Sequence, residues 1–148
     1  MIASVAAVRP GVSLRLAGEG PGEAVVHGGG EVFRLPLTGP ALARQAVLVV
    51  ALPALFPLLP VAVPRPRRVG VLADGFTPFT AERRLPGVAV QTLTGIAAQQ
   101  WEGVLAALAG VPAGLLREWG VEAVPRPSVV LVDPRRGVVT GLVDWRLD

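Results

Sequence analysis

Apolar and polar positions alternate in short runs along the first third of the chain, and this pattern predicts an antiparallel β-meander. Val12–Leu16 alternates leucines with polar neighbours, as expected of a strand with one buried face. Ala17–Gly22, rich in glycine, is predicted to be a loop. Two further strands follow at Glu23–His27 and Glu31–Leu35, joined by a turn at Gly28–Gly30.

The next segment has the pattern of a helix followed by a proline-rich connector. Thr38 is a suitable N-cap, and apolar residues continue to Pro53, where a helix is expected to end. Ala46–Val63 is uncharged and nearly long enough to span a membrane, but Pro53, Pro57 and Pro60 divide it. We therefore predict a buried helix, and no membrane-spanning segment.

The second half of the chain begins with a hairpin and continues with two helices. Arg68–Ala73 and Phe76–Arg84 are predicted to be strands flanking the tight-turn dipeptide Asp74-Gly75. Apolar residues then recur at helical spacing over Thr94–Leu108, and a shorter helix is predicted over Ala113–Trp119.

A second hairpin closes the chain. The β-branched runs Val129–Val132 and Val138–Val143 flank a turn that contains Pro134 and Gly137. Asp144 follows directly, and a carboxylate that leaves a buried strand needs a compensating partner. A metal ion, an arginine and solvent at a cleft are all compatible with this position. The order of elements, βββ-α-ββ-α-α-ββ, predicts an α+β fold.

Composition narrows the classes of function. The 148 residues suffice for one domain. The chain contains no cysteine and one histidine, which excludes thiolate chemistry and makes multi-histidine metal sites and histidine triads untenable. Lysine is absent, so the net charge of +3 rests on arginine, and the few aromatic residues do not interleave with the arginines, which argues against nucleic-acid binding. The N-terminus lacks the basic region of a signal peptide, so we predict a cytoplasmic protein.

Five segments, in order, resemble motifs of one known family. These segments are Leu14–Gly20, Val32–Pro36, Val61–Pro66, Glu82–Gly87 and Val130–Trp145. They resemble the first strand with its nucleotide loop, the third strand with its phosphate-binding cation, the entry to the fourth strand, the hinge, and the metal-binding Asp-Trp hairpin. The family is that of the aminoglycoside and macrolide phosphotransferases, which have a protein-kinase-like fold.

The resemblance implies a fold and a set of site residues. A single domain over 1–148 would comprise a kinase-like N-lobe at 1–84, with an antiparallel sheet and one packed helix, and a reduced C-lobe at 85–148 with a hinge, short helices and the hairpin. ATP and Mg²⁺ are the implied cofactors. The implied nucleotide-binding residues are Gly18, Glu19, Gly20, Arg34, Arg84 and Leu85, and the implied metal ligand is Asp144.

The sequence also departs from the family. The catalytic loop of the family reads His-Gly-Asp followed by Asn; here Glu122–Val124 and Val129 stand at those positions. Gln45 stands where the first-lobe helix normally carries a glutamate. Because the sequence ends at Asp148, the later substrate-binding helices are expected to be absent.

These departures predict a loss of catalysis. Val124 cannot accept a proton, and loss of a general base costs about 10²- to 10⁴-fold. Val129 cannot bind Mg²⁺, which takes oxygen ligands. The leading hypothesis is a non-catalytic, pseudokinase-like binding protein that forms homodimers through the apolar surface left by the missing C-terminal helices. The alternatives are a residual phosphotransferase that uses Arg34 and Asp144, and a folded remnant without function.

Two implied site features also have purely structural interpretations. The glycine-rich segment at Ala17–Gly22 is compatible with an ordinary turn between strands as well as with a phosphate cradle. Arg34 is compatible with phosphate binding and equally with an ion pair to Glu31 or Asp144.

Overall fold

A computed structural model describes residues 1–55, 57, 62–89, 130–133 and 138–142. The chain divides into two compact units. The first comprises Met1–Val49 and Arg65–Arg84, and the second comprises Val50–Pro64 and Leu85–Asp148. The elements are α1 (Ile2–Val8), β1 (Arg15–Glu19), β2 (Glu23–Gly28), β3 (Glu31–Pro36), α2 (Gly39–Leu55), β4 (Arg67–Val71), β5 (Pro78–Arg83), β6 (Val88–Ala89), β7 (Val130–Asp133) and β8 (Val138–Leu142).

The first unit is built on a five-stranded sheet in which every neighbouring pair is antiparallel, in the order β1-β2-β3-β5-β4. The first three strands form the predicted meander. The chain then passes through α2, and β5 pairs with β3 while β4 takes the edge of the sheet. The predicted α+β fold with a kinase-like first-lobe sheet is thus confirmed.

One face of this sheet carries the core of the first unit. Because side chains alternate across a strand, every second residue of β2, β3 and β5 points to this face. We call it the apolar face. Its fully buried side chains, together with Val5 of α1, are those of Ala24, Val26, Phe33, Leu35, Phe79 and Ala81.

Helix α1 was not predicted from the sequence, because its seven residues are almost all alanine, valine and isoleucine and show no polar face. Val5 is fully buried against the apolar face, and α1 contacts β4. The close approach depends on Gly70, where an added Cβ would lie 2.8 Å from Val8 Cγ1 and 2.9 Å from the Phe79 ring. Tertiary packing, and not amphipathic periodicity, therefore explains this helix.

Strand β1 begins later than predicted. It spans Arg15–Glu19, so the prediction of a strand at Val12–Leu16 is displaced and the prediction of a loop is wrong for residues 17–19. The register shifts between Leu16 and Gly18, as a β-bulge does, and pairing with β2 continues to Glu19. A bulge absorbs an extra residue without ending the strand, so the glycine-rich composition did not reveal it.

Helix α2 starts as predicted and ends later. The Thr38 side chain accepts a hydrogen bond from the Ala41 amide (3.3 Å), which confirms the N-cap. The helix continues through Pro53 to Leu55, so its expected end at Pro53 is wrong. The expectation of a buried helix holds for only part of α2, since Ala41 and Gln45 are buried whereas Val50 is 78% exposed. In the part of the chain that the structure describes, no helix is long and apolar enough to cross a membrane.

The β4–β5 hairpin turns at the predicted Asp74-Gly75 dipeptide. Gly75 has φ of +80°, a conformation that glycine adopts without strain. The Asp74 Oδ1 atom accepts hydrogen bonds from the backbone amides of Phe76 (3.0 Å) and Thr77 (2.8 Å). These bonds lower the pKa of Asp74, after the larger effect of the hydrogen bond from the Thr77 hydroxyl.

In the second unit, the described residues contain a three-stranded antiparallel sheet in the order β6-β7-β8. Strands β7 and β8 form the predicted closing hairpin, and β6 adds a short strand that was not predicted. Thr140 Oγ1 of β8 donates a hydrogen bond to the Pro86 carbonyl (2.7 Å). The helices predicted over Thr94–Leu108 and Ala113–Trp119 lie outside the described residues.

Candidate functional site

The face of the five-stranded sheet opposite the apolar face carries most of the ionisable side chains of β1, β2, β3 and β5. Paired residues of antiparallel strands share a face. Arg15 pairs with His27, His27 with Val32, and Val32 with Glu82, so these four residues form one row across the sheet. We call this the charged face. Its other ionisable members on these strands are Glu23 and Arg34.

Arg34 lies at the centre of the charged face and is bound by two carboxylates. Its Nε donates to Glu82 Oε1 (3.1 Å) and its Nη1 donates to Glu23 Oε1 (3.0 Å). All three side chains are largely buried, with exposures of 17% for Arg34, 18% for Glu23 and 6% for Glu82. Charge-assisted hydrogen bonds of this kind are the stronger ones in proteins. Arg34 is therefore held in place by the sheet.

Gln45 ties helix α2 to β3 beside Arg34. Its Nε2 donates to the backbone carbonyl oxygen of Arg34 (3.0 Å), and the residue is buried. Gln45, at the position where a helix glutamate was expected, thus contacts β3. Because its neutral side-chain amide binds the Arg34 carbonyl oxygen, it does not neutralise the Arg34 guanidinium. Glu23 and Glu82 supply that negative charge instead.

Glu31, one of the partners predicted for Arg34, binds other arginines. Its carboxylate accepts bonds from Arg9 Nε (2.7 Å), Arg9 Nη2 (3.2 Å) and Arg67 Nη2 (3.1 Å). The hydrogen bond from Arg9 is the main reason that the pKa of Glu31 is lowered, and it raises the pKa of Arg9. Arg9 also lies over the Phe33 ring, 5.8 Å from its centroid. Of the two carboxylate partners considered for Arg34, Glu31 is therefore wrong, because Glu31 and Arg34 lie on opposite faces of β3.

His27 lies among arginines on the charged face. The Arg15 Nη2 atom is 3.4 Å from His27 Nδ1, and since arginine only donates, Nδ1 is the acceptor. Burial lowers the pKa of His27, and the charges of Arg84, Arg15 and Arg34 lower it further. Sequence reasoning missed His27, Glu23 and Glu82 as site residues. The alternation of the predicted strands already placed all three on the face of Arg34, and this signal could have found them.

The predicted nucleotide-loop residues are divided between a strand and a turn. Gly18 and Glu19 lie in β1, opposite Val25 and Ala24. Gly20 lies in the turn, where its amide donates to the Glu23 carbonyl (2.9 Å). Space remains beside Gly18, where an added Cβ would meet no atom within 4 Å.

The predicted hinge begins where the first unit ends. The Arg84 amide donates to the Gly30 carbonyl (2.8 Å), so this N–H is engaged within the protein, while the Arg84 side chain is exposed. Leu85 is half-buried. Asp144, Val124 and Val129 lie outside the described residues. Among the residues that are described, no three acidic or histidine side chains are grouped as metal ligands, and Glu23 and Glu82 are bound to Arg34.

The sequence matches no protein-family model and no curated protein, whereas the fold matches solved structures. The complex of APH(2")-IIia with GDP and kanamycin aligns with a TM-score of 0.75 and 17% identity, over 97% of this chain and 71% of that one. Macrolide 2'-phosphotransferase MphH from Brachybacterium faecium aligns with a TM-score of 0.72 and 22% identity, over 95% of this chain and 69% of that one. The chain has the aminoglycoside and macrolide phosphotransferase fold. A third structure, ADP-bound aminoglycoside phosphotransferase APH(2'')-Ib, aligns with a TM-score of 0.64 and 10% identity, over 93% of this chain and 67% of that one.

This phosphotransferase fold confirms the resemblance that the five motifs indicated. It also explains why motif order carried more information than any single motif: 10% to 22% identity leaves few matching residues in any one segment. The roles of Gly18, Glu19, Gly20, Arg34, Arg84, Leu85 and Asp144 in nucleotide and metal binding stay predictions.

Proposed function

We propose that this chain is a non-catalytic, cytoplasmic binding protein built on the phosphotransferase fold. The observation that carries the proposal is the engagement of Arg34 by both Glu23 and Glu82. The family resemblance implies that an active phosphotransferase needs a cation on this strand to bind the nucleotide phosphates. Here the corresponding guanidinium makes charge-assisted bonds to two largely buried carboxylates.

The interaction free energies favour the ion pairs of Arg34 with Glu23 and Glu82 over its binding to a phosphate. A hydrogen bond to a charged group contributes about 1.5 to 3 kcal/mol, so a phosphate that replaced both carboxylates would have to offset roughly twice that. A phosphate placed about 4 Å from either carboxylate would also be repelled by about 4 kcal/mol at an effective dielectric constant of 20. Millimolar affinity corresponds to only about 4 kcal/mol in total. Arg34 is thus a poor phosphate ligand while Glu23 and Glu82 are ionised.

The sequence adds a second line of support. Val124 and Val129 stand at the positions of the catalytic aspartate and the metal-binding asparagine. Without a carboxylate to orient the hydroxyl acceptor, and with one fewer oxygen ligand for Mg²⁺, phosphoryl transfer loses two of its requirements.

An assay of acceptor-dependent ATP or GTP hydrolysis tests the proposal. With Mg²⁺ and either an aminoglycoside or a macrolide as acceptor, we expect hydrolysis no faster than without acceptor. Acceptor-dependent turnover that disappears in Asp144→Ala would overturn the proposal, because it would assign a metal-binding role to that carboxylate.

The second candidate is a residual phosphotransferase that binds ATP and Mg²⁺ through Arg34 and Asp144. It is favoured by the position of Arg34 on β3 of a fold whose relatives include structures with GDP or ADP bound. It predicts a thermal shift with MgATP, since a ligand at 100 times its Kd adds about 2.7 kcal/mol of stability.

The variants Glu23→Gln and Glu82→Gln separate the two candidates. If the carboxylates only block Arg34, each substitution should increase MgATP binding, because it removes a repulsive charge. If they orient Arg34 for phosphate, each should decrease it. Glu31→Gln is the matched control, because it makes the same change of charge on the opposite face of the sheet, and its effect on binding should be small in either case.

The predicted homodimer belongs to the same proposal. We expect static light scattering at micromolar concentrations to give twice the monomer mass of 15.3 kDa. A monomer mass across that range would remove the dimer from the proposal and leave its non-catalytic part intact.

A further inference from the structure

Two arginines and the single histidine of the chain gather at one end of the charged face. Arg15 and His27 are paired residues of β1 and β2, with Arg15 Nη2 3.4 Å from His27 Nδ1. Arg84 follows β5, and the hydrogen bond from its backbone N–H to the Gly30 carbonyl oxygen holds it beside the β2–β3 turn. It is two residues beyond Glu82 and so continues the charged face.

This end of the face is far from the glycine-rich turn between β1 and β2. Glu23 begins β2 next to that turn, and His27 lies four residues farther along the strand. At about 3.3 Å per residue, the separation is about 13 Å. A ligand group held at His27 is therefore distinct from one held at the turn.

The positive charge here is not neutralised by the acidic residues nearest to it. Glu82 lies in the row of His27 but binds Arg34, and Glu31 on the opposite face binds Arg9 and Arg67. Within the described ranges, neither Arg15 nor Arg84 forms an ion pair with a carboxylate. Arg34 and its two glutamates together carry a formal charge of −1, and Arg15 and Arg84 add two positive charges around a half-buried imidazole, which leaves a formal charge of +1.

We propose that Arg15, His27 and Arg84 form a binding site for the phosphate group of a small molecule. Two guanidinium groups supply the planar donor pairs that suit phosphate oxygens. With Nδ1 accepting from Arg15, a neutral His27 carries its proton on Nε2, which is a further donor to the anion. The site uses binding chemistry only, so it stands whether or not the chain transfers phosphoryl groups.

The histidine also provides the probe. Because the chain contains one histidine, its imidazole resonances in an NMR spectrum belong to His27 alone. The surrounding positive charge lowers its pKa in the free protein. A bound phosphate would favour the imidazolium and raise that pKa.

The experiment is a titration of inorganic phosphate into the full chain, at constant ionic strength with chloride as the balancing anion. We expect a saturable shift of the His27 resonances and a higher His27 pKa at saturation. Arg15→Gln and Arg84→Gln should each weaken phosphate binding about tenfold, the effect of losing one charge-assisted hydrogen bond. Both arginines are exposed, so the variants should fold, and the same spectra report whether they do.

Arg83→Gln is the matched control, because Arg83 lies opposite Glu31 in the strand register and therefore on the other face of the sheet. The substitution changes the net charge by the same amount as Arg15→Gln or Arg84→Gln. Its effect should stay within about twofold, as expected of screened long-range charge. A linear, non-saturating response in the wild-type chain would overturn the site. So would an equal loss of binding in Arg83→Gln, since that would indicate attraction by net charge alone.

Adenosine monophosphate and adenosine form the second arm of the titration. Binding of inorganic phosphate and the monophosphate, but not of adenosine, supports recognition of the phosphate group. Binding of adenosine with equal affinity would overturn the proposal, because it would assign the site to the nucleoside.

Discussion

The two faces of the five-stranded sheet use the same strands for different purposes. On the apolar face, Phe33, Leu35 and Phe79 are fully buried in one cluster with Val5 of α1. On the charged face, Arg34 is surrounded by Glu23, Glu82 and His27. Apolar burial is non-directional and scales with area, whereas buried charge is favourable only with well-placed partners. The apolar face therefore accounts for most of the stability, and the charged face carries the proposed binding site.

The largest expected effect comes from the apolar face. Phe79→Ala should lower the free energy of unfolding by about 3 to 5 kcal/mol, because it removes a fully buried ring and leaves a cavity. Phe76→Ala, in the adjacent turn, is the matched control and should change stability by less than about 0.5 kcal/mol. Urea denaturation of both variants measures the difference, and equal losses would contradict the assignment of the core to this face.

Gly70→Ala tests how closely α1 packs on that face. An added Cβ would lie under 3 Å from Val8 and Phe79 side-chain atoms, and overpacking of this kind costs about 1 to 3 kcal/mol. Gly18→Ala is the control, since open space surrounds that position. Thermal unfolding should show a lower Tm for Gly70→Ala only. An unchanged Tm would mean that α1 does not pack on β4 as described.

Glu82→Gln should have a smaller effect on stability than either core substitution. The amide keeps the shape and one acceptor but loses the charge assistance of the bond to Arg34, which is worth about 1 to 2 kcal/mol. Glu23→Gln should cost less, because Glu23 is more exposed. Denaturant midpoints of the two variants check this order. A larger loss from Glu23→Gln would make that residue the main partner of Arg34.

The smallest effect concerns pH. The pKa of folded His27 lies below its ordinary value of 6.5, through burial and then the charges of Arg84, Arg15 and Arg34. As the pH falls below 6.5, the unfolded state takes up a proton that the folded state resists, so stability decreases until the folded pKa is reached. His27→Gln should remove this decrease between pH 7.5 and 5.5. Unfolding curves that keep the same pH dependence would show that His27 does not titrate as described.

Much of the fold could be predicted because local patterns and global packing agree. The meander, the Asp74-Gly75 hairpin and the closing hairpin each combine alternation with specific turn residues. The predictions that failed concern features that local sequence patterns do not determine. The β1 bulge and helix α1 depend on distant neighbours that no local window contains, and α2 continues through Pro53, where a helix was expected to end.

The candidate site divides in the same way. Arg34 could be found from its place on the third strand, and alternation alone would place Glu23, His27 and Glu82 on the same face. Which carboxylates bind Arg34 could not be found: the nearby Glu31 was predicted, yet Glu31 binds Arg9 and Arg67. Proximity in sequence is a poor guide when a strand places adjacent residues on opposite faces.

The amino-acid sequence by itself determined the class of fold, because periodicity and residue identity are local properties. It also carries the prediction that Val124 and Val129 replace catalytic residue types. Only the tertiary structure decided the partners of each charge. Glu82 lies 48 positions beyond Arg34 along the chain and reaches it because β5 pairs with β3. Arg84 acts on His27 for the same reason. Electrostatic interaction falls with distance in space, so the character of the charged face follows from strand order.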